Sequence, residues 1–215
     1  MSIKVVVFDF DGTLVDSNHF KGNAWFAVFK DNPDISRSLV ADVLTRNVGT
    51  RFDIVRDILV RSGAPASDID LLVEKYVVRF DDLVQKAIAD RGLIPGANEV
   101  LDALSPKHCL YINSGTPEQA LHTCVENLGI KNYFKGVHGA PPTKEENLRA
   151  ILVREGIAPE EAVVIGDGEG DCRSARACGA HFIAVASGFH DWSIYTEGFP
   201  VVSGVSKAAA MIQNI

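Results

Sequence analysis

The first apolar run of the chain ends in two aspartates and a turn, in the stretch Phe8-Asp9-Phe10-Asp11-Gly12-Thr13-Leu14-Val15. Residues 3–10, which lead into it, are β-branched or apolar almost throughout, which is typical of a strand buried on both faces of a sheet. Gly12 then permits a tight turn. The stretch therefore predicts a central strand with two carboxylates at its carboxyl end.

Similar short apolar runs recur at residues 108–112, 162–165, 181–186 and 200–202. Helical patterns separate them: one opens at Pro95-Gly96 and continues to about residue 104, one runs from Thr116-Pro117 to Gly129, and one runs from Thr143 to Gly156. Strands that alternate with helices predict the α/β class, a parallel sheet with helices on both faces.

Residues 17–91 interrupt this alternation, because they carry no convincing strand pattern. Turn residues divide them into about four helices. Four residues are expected to line the apolar side of the last helix: Leu71, Leu72, Tyr76 and Leu83. We predict an α/β core domain of residues 1–16 and 92–215, with a small helical cap domain, residues 17–91, inserted after the first strand.

Composition excludes several classes of protein. The 215 residues include 21 basic and 28 acidic side chains, a net charge of −7, so neither nucleic acid nor an anionic membrane is an expected partner. The longest apolar run is Ala24 to Phe29, too short to span a bilayer, and the start of the chain lacks a secretory signal pattern. The four cysteines show no metal-ligand spacing. We expect a cytoplasmic protein with reduced thiols; the oligomeric state is left open.

Polar side chains follow the predicted strands where parallel sheets bind ligands, at their carboxyl ends. These residues are Asp9, Asp11, Ser114, Asp167 and Asp171. Carboxylates that converge on one edge repel each other and need a cation, and hard oxygen ligands favour Mg²⁺. A helix cap or a turn explains Asp171 taken alone, but it is a poor explanation for all four aspartates together.

The ordered motifs resemble those of the haloacid dehalogenase-like (HAD) superfamily. The run from Phe8 is similar to its DxDGT motif, Tyr111-Ile112-Asn113-Ser114-Gly115 to its second motif, and Ile165-Gly166-Asp167-Gly168-Glu169-Gly170-Asp171 to its GDxxxD motif, with Lys144 as the third-motif candidate. The resemblance spans nearly the whole chain. It implies a HAD-like Rossmannoid sheet with a C1 helical cap, in the phosphoglycolate-phosphatase-like or β-phosphoglucomutase-like branch.

The resemblance implies roles for the carboxylates. Asp9 is the expected nucleophile, forming an aspartyl-phosphate, and Asp11 is the expected general acid and base. Mg²⁺ is expected on Asp9, Asp167 and the backbone carbonyl of Asp11, with Asp171 either as a direct ligand or just outside the ligand set. Ser114 and the Gly12 turn are expected to bind the phosphate.

The position of Lys144 next to a predicted helix start is also informative. Thr143 and Glu146 form a capping-box pattern, which places Lys144 in the first turn of a helix, where the helix dipole disfavours a cation. A bound phosphate or the carboxylates would compensate; the alternative is a solvated surface lysine. Ala140-Pro141-Pro142-Thr143-Lys144 also departs from the KPxP-type loop that is common in the family.

The expected function is a Mg²⁺-dependent phosphatase that hydrolyses a small phosphorylated metabolite. Arg46 and Arg51 in the cap are candidates for contacting a second anionic group of the substrate, and the alternative for each is an exposed surface arginine. The same motifs are compatible with a β-phosphoglucomutase-like phosphotransferase and, less readily, with a non-catalytic protein on the same scaffold. A dehalogenase is disfavoured because Asp11 is present. A phosphonate-cleaving enzyme is disfavoured because no cap lysine stands in a recognisable motif.

Overall fold

The computed structural model describes residues 2–46, 49–195, 198–213 and 215. The strands are β1 (Val5–Phe8), β2 (Cys109–Pro117), β3 (Phe134–Ala140), β4 (Ala162–Gly166), β5 (His181–Val185) and β6 (Val201–Val202). The α-helices are α1 (Ser17–Val28), α2 (Arg37–Arg46), α3 (Arg51–Arg61), α4 (Ile69–Arg91), α5 (Ala97–Leu104), α6 (Glu118–Asn127), α7 (Lys144–Glu155), α8 (Glu169–Cys178) and α9 (Ala208–Ile212). Short 3-10 helices span Lys131–Tyr133, Pro159–Glu161, Trp192–Ile194 and Val205–Lys207.

The six strands found in these ranges form one parallel sheet in the order β3-β2-β1-β4-β5-β6. In the centre, Phe8 of β1 lies opposite Ile112 of β2 and Ile165 of β4. The three strands therefore end at the same edge, and the residues that follow Phe8 and Ile165 emerge side by side. The predicted α/β class with a parallel sheet is confirmed.

Burial explains why β1 lies in the middle of the sheet. All four of its residues are buried, as the unbroken apolar pattern predicts for a strand covered on both faces. On one face, Val5 and Val7 belong to a core cluster that also contains Leu148 and Ile151 of α7 and Ala175 of α8. The helices that carry part of the candidate site are thus held against the sheet by apolar packing.

The structure differs from the prediction at the edge of the sheet. Strand β3 was not predicted, because Phe134–Ala140 contains two glycines and a histidine and no continuous apolar run. Its residues are mostly half-buried, as suits an edge strand with only β2 as a neighbour. The first strand is also shorter than predicted, since it ends at Phe8 and Asp9 already lies in the following loop.

The chain divides into two compact units, Met1–Asn18 with Ile88–Ile215, and His19–Ala87. The second is a helical unit that contains α2, α3 and most of α1 and α4. Within it, the ring of Trp25 stacks on that of Phe80, with 4.0 Å between ring centroids. These bounds differ from the predicted ones, residues 17 and 91, by two and four residues.

The buried face of α4 is not the predicted one. Val73, Tyr76, Val77 and Phe80 are buried, at the i, i+3, i+4, i+7 spacing of one helix face. The expectation for Leu71 was wrong, since 72 % of it is exposed, and two other expected residues, Leu72 and Leu83, are half-buried. Only Tyr76 of the expected set is buried, because the core face is offset from the leucines.

No helix in the described part of the chain has the length and apolar content to cross a membrane. The cysteines are free: Cys124, Cys172 and Cys178 are buried and Cys109 is half-buried.

Candidate active site

The loop after β1 makes a tight turn at Gly12. Gly12 has a φ of +78°, and its N–H donates to the carbonyl of Val15 at 2.7 Å. A Cβ atom on Gly12 would lie 2.0 Å from Oδ2 of Asp167. Glycine is thus required twice, for the left-handed backbone and for the close approach of Asp167. The predicted turn is present, but the N–H of Gly12 itself is used within the loop; a phosphate role for this turn stays a prediction.

Three aspartates converge at the carboxyl edge of the sheet. Carboxylate oxygens of Asp9, Asp167 and Asp171 lie within 4.8 Å of one another, and all three residues are buried. Asp9 follows β1 and Asp167 follows the adjacent β4, whereas Asp171 lies in the first turn of α8. The three side chains therefore lie together, as predicted for residues that follow strand ends.

Lys144 reaches this cluster from the first turn of α7. Its Nζ donates to Oδ1 of Asp9 and to Oδ1 of Asp171, each at 2.8 Å. The capping box of Thr143 and Glu146 is present in both directions, as predicted. The two carboxylates offset the unfavourable interaction between the charge of Lys144 and the helix dipole. The alternative of a solvated surface lysine is therefore wrong.

Burial and the mutual repulsion of the carboxylates govern the electrostatics of the cluster. Burial, together with the charge of Asp9, raises the pKa of Asp167 and of Asp171. Burial lowers the pKa of Lys144, but the charges of Asp171 and Asp9 outweigh that effect and the net shift is upward. One lysine against three carboxylates leaves two negative charges when all are ionised, a charge that a divalent cation would neutralise.

Asp11 lies in a different setting, among hydroxyl groups. The Ser17 hydroxyl donates to its Oδ1, and the Thr116 hydroxyl donates to its Oδ2 at 2.6 Å. Ser114, buried in the second half of β2, has its Oγ 3.4 Å from the same Oδ2 and accepts a hydrogen bond from the Thr116 N–H at 3.1 Å. Asp11 and Ser114 are thus brought together as the sequence predicted, but Ser17 and Thr116 were missed as site residues.

Further polar side chains form hydrogen bonds with residues of the cluster or with one another. Asn18 and Ser187 donate to Oδ2 of Asp167, at 3.1 and 2.7 Å. Asn113 donates to the Lys144 carbonyl at 2.7 Å, and buried Asn147 donates to Asn113 at 3.1 Å. None of these four residues was predicted as part of the site. Only Asn113 had a signal, its place beside Ser114 at the end of an apolar run.

The cap arginines have partners inside the helical unit. Arg46 is mostly exposed and pairs with Asp42 at 2.7 Å, one turn earlier in α2. Arg51 pairs with Asp81, and its guanidinium lies 5.6 Å from the ring centroid of Phe80. Substrate contact by either arginine stays a prediction. Glu169 is exposed at the start of α8.

A haloacid dehalogenase-like hydrolase family model matches residues 3–179, and the chain belongs to this family. A relative named phosphoglycolate phosphatase from Synechococcus elongatus is 27% identical over 195 residues, covering 88% of this chain and 86% of the relative.

Solved structures show the same fold. A haloacid dehalogenase-like family protein from Streptococcus pneumoniae is 24% identical, with a TM-score of 0.69 over 97% of this chain and 98% of that one. A HAD hydrolase from Bacillus subtilis, crystallised with magnesium, is 17% identical, with a TM-score of 0.73 over the full length of both chains. The predicted superfamily and its phosphoglycolate-phosphatase-like branch are confirmed, and so is the enzyme class, a phosphoric monoester hydrolase.

Proposed function

We propose that this protein is a Mg²⁺-dependent phosphatase that hydrolyses a small phosphomonoester through an aspartyl-phosphate on Asp9. The observation that carries the proposal is the buried cluster of Asp9, Asp167 and Asp171 with Lys144 at the carboxyl edge of the sheet. Burying three carboxylates costs free energy that one ammonium group offsets only in part. Such a cluster is reasonable where a cation and a phosphate group complete it.

The donor set fits magnesium. Asp9 and Asp167, with the backbone carbonyl of Asp11, are hard oxygen ligands, and Asp171 lies within 4.8 Å of the first two as a direct or outer ligand. Bound Mg²⁺ would polarise the phosphoryl group and offset its repulsion from the Asp9 carboxylate. The match to a family member crystallised with magnesium supports the same ion here.

The residues perform the reaction in two displacements. In the first, a carboxylate oxygen of Asp9 forms a bond to phosphorus, the bond from phosphorus to the substrate oxygen breaks, and Asp11 gives its proton to the departing alcohol. In the second, Asp11 takes a proton from water, the water oxygen bonds to phosphorus, and the bond to Asp9 breaks. Inorganic phosphate leaves, and both aspartates return to their first states.

Phosphate binding falls to the neighbouring groups. The Ser114 hydroxyl and the Lys144 ammonium group are the proposed donors to phosphoryl oxygens, and the turn at Gly12, next to Asp167, is the third proposed contact. Lys144 also fixes one oxygen of the nucleophile, since its Nζ lies 2.8 Å from Oδ1 of Asp9.

The helical unit is proposed as the cap that selects the substrate, with Arg46 and Arg51 as candidate specificity residues. The substrate class, a small phosphorylated metabolite, is supported by the relative named phosphoglycolate phosphatase. The proposed location is the cytoplasm, which the four free cysteines support.

The test is release of inorganic phosphate from a panel of phosphorylated metabolites, with Mg²⁺ and with a chelator. The wild type should release phosphate only with the metal. Asp9→Asn should lose activity by about 10³-fold or more, because the nucleophile is gone. The matched control, exposed Asp34→Asn, should keep full activity.

Two outcomes would overturn the proposal. Activity retained by a folded Asp9→Asn variant would remove Asp9 as the nucleophile. Conversion of one sugar phosphate to another with little free phosphate would identify a phosphotransferase instead.

A further inference from the structure

Each carboxylate oxygen of Asp11 accepts a hydrogen bond from a nearby hydroxyl, and the hydroxyl of Ser114 lies farther from Oδ2. Ser17 donates to Oδ1, and Thr116 donates to Oδ2 at 2.6 Å. Ser17 is fully buried at the start of α1, and Thr116 is half-buried near the end of β2. The two hydroxyls therefore restrain both oxygens of the carboxyl group, and they come from two separate segments of the chain.

The two hydroxyls on Oδ2 are not equivalent. Thr116 lies at a normal hydrogen-bond distance, whereas the Ser114 Oγ is 3.4 Å away, too long for a strong bond. The Ser114 Oγ also accepts the N–H of Thr116 at 3.1 Å. Thr116 is thus the closer hydroxyl partner of Oδ2, and Ser114 contributes little to holding Asp11.

Orientation is the property of Asp11 that these bonds control. The terminal torsion of an aspartate side chain has a broad energy profile, so an unrestrained carboxyl group rotates easily. Proton transfer to a departing oxygen requires hydrogen-bond reach and alignment, and small misplacements cost large factors in rate. A hydroxyl at 2.6 Å on one carboxyl oxygen removes much of that freedom.

We propose that Thr116 is a positioning residue for proton transfer by Asp11, acting through its hydroxyl bond to Oδ2. The inference rests on the proposed function, because it assumes that Asp11 protonates the departing alcohol. Thr116 acts only through Asp11, so its loss affects esters in proportion to their need for that proton. The leaving group of an activated aryl ester departs readily without the proton, whereas a poorer leaving group needs it.

The test compares kcat/KM for 4-nitrophenyl phosphate and phenyl phosphate, which are similar in shape but differ in leaving group. This parameter reports the steps up to phosphoryl transfer to Asp9, and not the later hydrolysis that both esters share. Thr116→Val should lower kcat/KM for phenyl phosphate by about 10-fold and for 4-nitrophenyl phosphate by less than about 2-fold. Thr116→Ser, which restores a hydroxyl, should recover phenyl phosphate turnover to within about 3-fold of the wild type.

The matched control is Thr123→Val, which removes a hydroxyl that bonds only locally, to the carbonyl of Gln119 at 3.0 Å in exposed surroundings. It should leave both esters unchanged. If Thr116→Val fails to fold, Thr116→Ala is measured in the same way.

Equal loss on both esters would overturn the inference, since it would indicate a phosphate contact or a general structural role. Unchanged turnover of both would overturn it as well. Either result would leave the proposed function standing as long as Asp9→Asn is inactive, so the two failures are distinguishable.

Discussion

Replacing Lys144 by methionine tests the electrostatic account of the site. The ammonium group contacts Asp9 and Asp171 at 2.8 Å each, and the side chains of these partners are only 6% and 2% exposed. Methionine keeps much of the length of the side chain and removes the charge. The variant therefore leaves three buried carboxylates without a protein cation.

The magnitude follows from these distances. At an effective dielectric constant near 20, each contact is worth about 6 kcal/mol of gross attraction, and the desolvation of the ions offsets most of it. Breaking a buried pair costs about 3–5 kcal/mol in practice. Asp171 limits the loss, because its pKa is already raised by burial and by Asp9, so it takes up a proton readily once Lys144 is gone. We expect about 3 kcal/mol, which for a chain of this size lowers the Tm by about 6–12 °C.

The two tryptophans allow the assay to follow one unit. Trp25 lies in the helical unit and Trp192 is buried in the core of the α/β unit. In a Trp25→Phe background, fluorescence of Trp192 reports unfolding of the unit that contains the site. The measurement is made with a chelator and again with Mg²⁺, which should stabilise Lys144→Met more than the wild type because it replaces the missing positive charge.

The matched control is Lys131→Met, which removes a lysine from an exposed pair with Glu126. Its Tm should stay close to that of the wild type, because surface ion pairs contribute little. The reasoning is refuted if Lys144→Met unfolds at the same temperature as this control in the presence of chelator.

Three further predictions concern other parts of the fold and site. Gly12→Ala should lose at least about 1–2 kcal/mol of stability and most activity, because Gly12 has φ +78° and its Cβ would meet Asp167; Gly22→Ala, in α1 with open space, should be neutral or stabilising by thermal unfolding. Asp11→Asn should lower kcat/KM for phenyl phosphate far more than for 4-nitrophenyl phosphate; a uniform loss would argue against proton donation by Asp11. Burial lowers the pKa of His138, so the unfolded chain binds its proton at a higher pH than the folded one, and the contribution of His138 to stability falls as the pH drops from about 7.5 to 5. The raised pKa values of Asp167 and Asp171 act in the opposite direction over the same range, so the test is the difference between two proteins. Relative to the wild type, His138→Gln should become more stable as the pH drops over that range in urea unfolding, and an unchanged difference would contradict the prediction.

Strand ends and capping patterns made much of the site predictable. Asp9 and Asp167 follow apolar runs that become adjacent parallel strands, so their meeting requires only the rule that such strands end at one edge. Lys144 was predictable because its capping box places it in the first turn of a helix. The helix dipole disfavours a cation there, so anionic groups were expected nearby.

The groups that support the site were not predictable in the same way. Ser17 at the start of α1, Thr116 near the end of β2 and Ser187 after β5 contact aspartates that are distant in the sequence or in other elements, and no local pattern encodes those contacts. Strand β3 was missed for a related reason: an edge strand needs little burial, so Phe134–Ala140 carries no strong apolar signal. Long-range packing, rather than local preference, decides such features.

The central claim is that Asp9 receives the phosphoryl group, and beryllofluoride, a mimic of an acyl-phosphate, tests it most directly. With Mg²⁺ present, ¹⁹F NMR of the wild type should show bound beryllofluoride resonances. Asp9→Asn, folded to the same extent, should show only the free species. Equal binding by both proteins, or none by an active wild type, would contradict the account.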